Sequence, residues 1–223
     1  MNNKTTALIG ATGLIGSHIL ALLLEDESFG SVRVLVRRPL PVSHPKLEVI
    51  MIDFNNPVAF RTAIEGCNAV FCAVGTTNAK VKGDKDAYRK IDYDIPVNAA
   101  RFSAETGVKQ FLLVSSVGAD AGGGNFYLRL KGEVEENVKT LNIPSISIFR
   151  PSMLLGKRNE SRPMETVAQA ISKPLAFLFP AKYKPIKARD VARAMIAASK
   201  INTPGFQVYH YQEMNKFLHP IVL

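Results

Sequence analysis

A chain of 223 residues, 47% hydrophobic and 21% charged, has room for one sizeable core and the composition of a globular domain, which excludes a disordered or fibrous class. No apolar run reaches the ~18 residues of a membrane span. The opening MNNKTTALIG runs straight into a glycine turn rather than a signal-peptide layout, so a cytoplasmic location is expected. The net charge of +9 is spread along the chain with no basic run interleaved with aromatics; it describes a basic surface, and no nucleic-acid partner is expected.

Short apolar, β-branched runs alternate with longer helical patterns. Strands are predicted at 6–9, 32–36, 47–52, 69–73, 111–114 and 145–149, and helices at 14–24, 57–64, 86–106 and 127–140. Strands this uniformly apolar are covered on both faces, so the pattern predicts βαβ units in an α/β doubly wound parallel sheet with three αβα layers. Cys67 and Cys72 stand around the fourth strand without histidines at ligand spacing, so they read as two free buried thiols, and no metal is predicted. Alternation along a strand sends them to opposite faces.

Beyond Arg150 the prolines at 151, 163, 174, 180 and 185 break 151–187 into loops and short helices. A helix at 189–199, an extended piece at 205–209 and a polar tail follow. We read 1–223 as one domain in which 151–223 is a small C-terminal region covering the carboxyl edge of the sheet, where such folds bind ligands. Within it, LAFLF (175–179) reads as a pocket lid, a subunit contact or a membrane-touching patch. His18, amid leucines, reads as packing, and His210 and His219 lack partners at ligand spacing.

Directly after the first strand, GATGLIG sets Gly10, Gly13 and Gly16 at the head of the first helix. A tight strand-to-helix turn, a close approach of backbone to a ligand, and close helix–strand packing each demand a glycine. The helix N-terminus then offers free N–H groups and the positive end of its dipole to a pyrophosphate. Gly10, Thr12, Gly13, Leu14, Ile15 and Gly16 are therefore the expected seat of a nicotinamide dinucleotide in a Rossmann fold.

The second strand ends in Arg37 and Arg38, twenty-one and twenty-two residues beyond Gly16. An NAD site places an acid there, whereas guanidinium forks suit a 2′-phosphate, so NADP(H) is the expected cofactor. Asp53, followed by Phe54, ends the third strand, where a carboxylate can accept from an adenine amino group. Ala73, Val74, Gly75 and Thr76 end the fourth, small residues along which adenosine and the nicotinamide ribose can lie.

Tyr127 and Lys131 stand at i and i+4 on one predicted helix face. A lysine ammonium favours a neighbouring phenolate, which suits the tyrosine to exchange a proton with a carbonyl or hydroxyl. The same lysine can hold ribose hydroxyls. Tyr183 and Lys187 share the spacing, but Pro185 between them argues against a helix. Ser115 and Ser116 close the strand before Tyr127, where a hydroxyl can bond a substrate oxygen.

Taken together, GATGLIG, VSS, YLRLK and FRP (149–151) resemble the short-chain dehydrogenase/reductase superfamily in its atypical branch. More narrowly, LLVSSVGAD, NFYLRLKGEVE and RNESRP (158–163) are similar to the Tat-interacting oxidoreductase-like proteins, an NADPH-binding subgroup. The resemblance covers residues 5–200 and implies NADPH binding and a catalytic serine, tyrosine and lysine. By position the serine is Ser116, with Ser115 the contender, and a backbone contact after the sixth strand falls on Pro151 and Met153. In many members of the superfamily an asparagine early in the helix after the fourth strand supports a proton relay. This chain departs from that pattern with RKIDYD, holding Asp92 and Asp94 and no asparagine before Asn98.

The function expected is NADPH-dependent oxidoreduction of a small carbonyl, enone or hydroxyl compound. A non-catalytic NADPH-sensing regulator that binds a protein partner is the alternative. A nucleotide-sugar epimerase or dehydratase ranks third, because it usually needs a larger C-terminal lobe. A homodimer is common in the superfamily.

Overall fold

The computed structural model of the chain describes residues 4–155 and 180–219. Pro163, Pro174, the RNESRP stretch and the LAFLF segment lie outside the described residues.

The elements run β1 (Thr5–Ile9), α1 (Leu14–Glu25), β2 (Ser31–Val36), β3 (Leu47–Met51), α2 (Pro57–Ile64), β4 (Ala69–Cys72), α3 (Lys85–Arg89), α4 (Ile95–Glu105), β5 (Gln110–Val114), α5 (Phe126–Lys139) and β6 (Ser145–Phe149). After them come β7 (Leu154–Leu155), β8 (Ile186–Lys187), α6 (Ala188–Ile201), β9 (Gly205–Tyr209) and α7 (Tyr211–Leu218). The main sheet has the order β3-β2-β1-β4-β5-β6-β9, and every pairing in it is parallel. The chain steps outward from β1 to β3 and then crosses to β4, so β1 and β4 flank the switch point where such sheets open a ligand crevice.

Alternation along the strands feeds two cores. Leu8, Val34, Phe71 and Leu112 face α1 and α6, whereas Ile9, Leu35, Cys72 and Leu113 face α2, α4 and α5. Fully buried Phe60, Phe71, Phe111 and Phe149 each stabilise the fold by about 1.5–3 kcal/mol through burial alone. The doubly wound Rossmann architecture expected from the strand pattern is the one observed.

The departures have physical causes. The predicted helix at 86–106 is broken: α3 ends at Arg89, the turn Lys90–Asp94 is π-helical, and α4 begins with a proline in its first turn. Pro96 has no N–H to give the carbonyl of Asp92, and its ring crowds that carbonyl, so the backbone widens there. The predicted polar tail holds α7. The polar residues between Tyr211, Met214 and Phe217 hide an apolar stripe at helical spacing, and Met214 is fully buried against the α6 side of the sheet.

The extended piece at 205–209 joins the main sheet as its seventh strand, beside β6. Lys187 lies in β8, paired to β7, and Tyr183 ends a 3₁₀ turn, so that tyrosine and lysine share no helix. Both cysteines are free and buried, but they lie in one core, because Cys67 precedes β4 and strand alternation does not govern it. Burial pushes the Cys72 thiol up to about 12 and raises that of Cys67.

Candidate functional site

The carboxyl ends of β1 and β4 touch through main chain. Gly10 has φ +91°, a conformation L side chains rarely adopt, and a Cβ built on it would stand 2.6 Å from the carbonyl of Ala73 and 2.7 Å from the nitrogen of Val74. A Cβ on Gly16 would meet the carbonyl oxygen of Gly10 at 2.0 Å. The turn is closed by the Gly13 N–H donating to the Gly10 carbonyl at 2.9 Å. Gly13 is the N-cap of α1 and no side chain caps it, whereas α2 and α5 start under the side chains of Asn56 and Asn125. Main-chain N–H groups and a positive dipole end thus stand at a turn whose glycines bring no side chain to it, which fits a pyrophosphate. Thr12 is exposed and Ile15 anchors the turn in the core.

The other predicted cofactor residues line the same edge. Arg37 and Arg38 are exposed just beyond β2 and make no ion pair among the described residues. Asp53 is exposed beyond β3, its Oδ1 accepting from both the main chain and the side chain of Asn55. Phe54 packs edge-on against Phe60, 4.9 Å between ring centres, so its ring belongs to the core. Pro151 accepts from the N–H of Val117 at 2.9 Å, tying the chain after β6 to the residue next to Ser116; the Met153 carbonyl accepts from Ile186.

Helix α5 carries Tyr127 in its first turn, 37% exposed, and Lys131 one turn on, 5% exposed. The Lys131 ammonium lies 5.9 Å from the Tyr127 ring centre and 3.1 Å from Oδ1 of Asp92, which is 1% exposed. Oδ2 of Asp92 accepts from the Thr76 N–H at 2.7 Å. The Tyr88 hydroxyl donates to the Thr76 carbonyl at 3.4 Å, and the Tyr88 ring meets that of Tyr127 edge-on. Burial works against the Lys131 ammonium, but Asp92 and then Tyr127 more than offset it, leaving its pKa above the ordinary lysine value.

The two serines part company. Ser115 is buried and its hydroxyl donates to Glu135, whose carboxylate is gripped by the Arg150 guanidinium. Ser116 is half-buried, and among the described residues its hydroxyl makes only a long 3.3 Å contact with the carbonyl of the next residue. Asp92, Glu135 and Arg150 escape sequence reasoning as site residues. In the sequence Asp92 shows only as one of two acids, with Asp94, standing where many members of the superfamily carry an asparagine. A cavity of about 250 Å³ is lined by Gly132, Glu135 and Arg150 among others, and by no residue of the glycine turn. Among the described residues no helix is long and apolar enough to cross a membrane, and no cluster of three or more side chains has the makings of a metal site.

Residues 10–200 match a family described as NAD(P)H-binding. The chain is 32% identical over 222 residues to the protein HTATIP2 of Rattus norvegicus, covering 98% of this chain and 90% of that protein. It is 36% identical over 156 residues to the mitochondrial protein FMP52 of Debaryomyces hansenii, covering 70% and 69%. Among solved structures it is similar to MoeE5 in complex with UDP-glucose and NAD, with a TM-score of 0.69 at 17% identity over 94% of this chain and 79% of that one. The Bordetella bronchiseptica enzyme WbmH in complex with NAD+ gives 0.71 at 18% identity over 93% and 75%. At such identities the likeness shows the fold.

Proposed function

The chain belongs to the NAD(P)H-binding family, in the atypical branch of the short-chain dehydrogenase/reductase superfamily, and from that premise we propose an NADPH-dependent oxidoreductase acting on a small carbonyl or hydroxyl compound. One observation carries the proposal: the Tyr127–Lys131 pair stands on α5 with its ammonium bound, through Asp92, to the segment that abuts the glycine turn.

Gly10, Gly13 and Gly16 with the head of α1 hold the pyrophosphate, and Arg37 and Arg38 take the 2′-phosphate. Residues 73–76 floor the adenosine and ribose. NADPH, when bound, supplies hydride chemistry. The Tyr127 hydroxyl gives a proton to the substrate oxygen in reduction and takes it back in oxidation, being half-exposed and within reach of a ligand. Lys131 stays an ammonium at neutral pH and keeps a positive charge beside the phenol. Ser116 orients the substrate oxygen; Ser115 is committed to Glu135. We propose a cytoplasmic location; the two free thiols fit any reducing compartment, and the mitochondrial designation of the fungal relatives is the rival that cell fractionation decides.

Titration with NADPH and NADH tests the cofactor assignment. Wild type should prefer NADPH, and Arg37→Ala/Arg38→Ala should weaken NADPH by about 10- to 100-fold while sparing NADH. Equal affinities in wild type would remove the assignment. NADPH oxidation over a panel of aldehydes, ketones and quinones tests the chemistry. Tyr127→Phe should lower turnover by about 10²- to 10⁴-fold with the dissociation constant of NADPH little changed. Undiminished turnover in that variant would end the acid/base role of the tyrosine, and tight binding with no turnover anywhere would make the chain a sensor.

A further inference from the structure

We infer that Asp92 is a positioning residue that clasps α5 to the floor of the cofactor groove, setting the Lys131 ammonium and the Thr76 backbone at a fixed separation. The purpose given to the clasp rests on the oxidoreductase reading above; its existence rests on geometry alone.

The clasp begins with a covalent fact. Pro96 forces the π-helical turn Lys90–Asp94, and Asp92 within that turn is almost wholly out of water. There each carboxylate oxygen has its own donor: Oδ1 the Lys131 ammonium at 3.1 Å, Oδ2 the Thr76 N–H at 2.7 Å. Tyr88, one turn upstream, grips the next peptide along through the Thr76 carbonyl. Arg89 reaches Glu133 of α5 at 2.8 Å, so the segment is bound to the helix at two points.

Stability alone does not account for this arrangement. Burying a carboxylate and an ammonium costs several kcal/mol that their attraction barely recovers, and apolar pairs of equal volume commonly serve a core as well or better. What an apolar pair cannot do is hold an ammonium. That cation has three N–H donors, and Asp92 takes one, leaving the others for ligand and tyrosine in a fixed direction. The acid also brings the β4 edge along, so the tyrosine-bearing helix and the ribose floor share one anchor.

The test is a cycle of Asp92→Asn, Lys131→Met and the double variant, read by thermal unfolding and by NADPH titration, with deuterium exchange at the Thr76 amide. Asn keeps the size and one acceptor for Thr76 but cannot pair with the ammonium. Lys131→Met should melt below wild type because it strands a buried carboxylate, and adding Asp92→Asn should raise the melting temperature again. Asp92→Asn alone should keep Thr76 protected yet weaken NADPH by about tenfold, the size of one lost charged hydrogen bond, and the double variant should bind no worse than Lys131→Met. In Asp92→Ala the Thr76 amide should exchange faster.

A double variant that melts below Lys131→Met, or additive losses in NADPH affinity, would overturn the clasp. So would wild-type binding in Asp92→Asn. Should wild type bind no dinucleotide at all, the oxidoreductase reading falls, and the unfolding and exchange arms still decide the clasp.

Discussion

The two walls of the groove are built from different material. The wall at α1 is main chain: three glycines, an uncapped helix end and the peptide after β4, approached so closely that a methyl group has nowhere to go. The wall at α5 is side chain: two buried acid–base pairs one turn apart, with the helix supplying the cation to Asp92 and the anion to Arg150. Steric exclusion is all-or-none, whereas paired charges fail by degrees according to burial. The difference says which substitutions abolish the groove and which merely misalign it.

The largest effect is expected at the first wall. Gly16→Ala puts a Cβ 2.0 Å from the Gly10 carbonyl oxygen, a backbone atom that cannot swing aside, so the turn must open. We expect a loss near the upper end for single substitutions, about 4 kcal/mol, with NADPH binding gone. Gly13→Ala is the control. Its Cβ would lie 3.2 Å from that same oxygen, close enough for a shift of a few tenths of an ångström to relieve it, so it should retain most of its stability. Equal stabilities by chemical denaturation would break the comparison.

That contrast also marks what could be read from the chain. The glycine wall is local: Gly10, Gly13 and Gly16 lie within one βα turn, and their purpose follows from spacing and from the strand before them. The alternation of strands and helices, and with it the parallel doubly wound sheet, follows similarly from apolar runs and short connections. The second wall is legible only in part. Tyr127 and Lys131 show because one helix carries both, but their partners come from Asp92 on another segment and from Arg150 beyond β6. No spacing rule reaches across those distances. Ser115 and Ser116 are equivalent on paper, and only the placement of Glu135 on α5 separates them. The π-helical turn hides for another reason: a helical pattern interrupted by one proline reads as continuous until the lost hydrogen bond is traced to the carbonyl of Asp92.

A middle-sized effect is expected at the second buried pair. Arg150→Met leaves the Glu135 carboxylate, 4% exposed, with the Ser115 hydroxyl as its remaining partner among the described residues. Because the Arg150 side chain is itself 24% exposed, the cost should fall at the low end of the ~3–5 kcal/mol expected for an orphaned buried charge. For a chain of this size about 3 kcal/mol lowers the melting temperature by about 6–12 °C. NADPH affinity should hold within about threefold, under 1 kcal/mol, since among the described residues the Glu135 carboxylate bonds Arg150 and Ser115 and touches neither Lys131 nor the glycine turn. A collapse in affinity without a matching loss of stability would mean that the two pairs on α5 serve the same purpose.

The smallest effect should come from a pair with the same charges and much less burial. Lys200 of α6 reaches Asp26, the C-cap of α1, and the lysine side chain is 46% exposed. Burial nudges the Asp26 carboxyl up, but hydrogen bonds from Lys200 and from the hydroxyl and N–H of Ser28 outweigh it and hold the group below its ordinary 3.8. A depressed carboxylate pKa stabilises the fold above the unfolded value, and that contribution fades as pH falls through the folded one. Lys200→Ala should therefore cost less than ~1 kcal/mol at neutral pH, less still in high salt. The gap to wild type should stay constant down to pH 4 and close below it as Asp26 protonates. Denaturant melts at a few pH values check this. A cost matching that of Arg150→Met would mean that charge pairing itself, rather than its burial, holds the second wall.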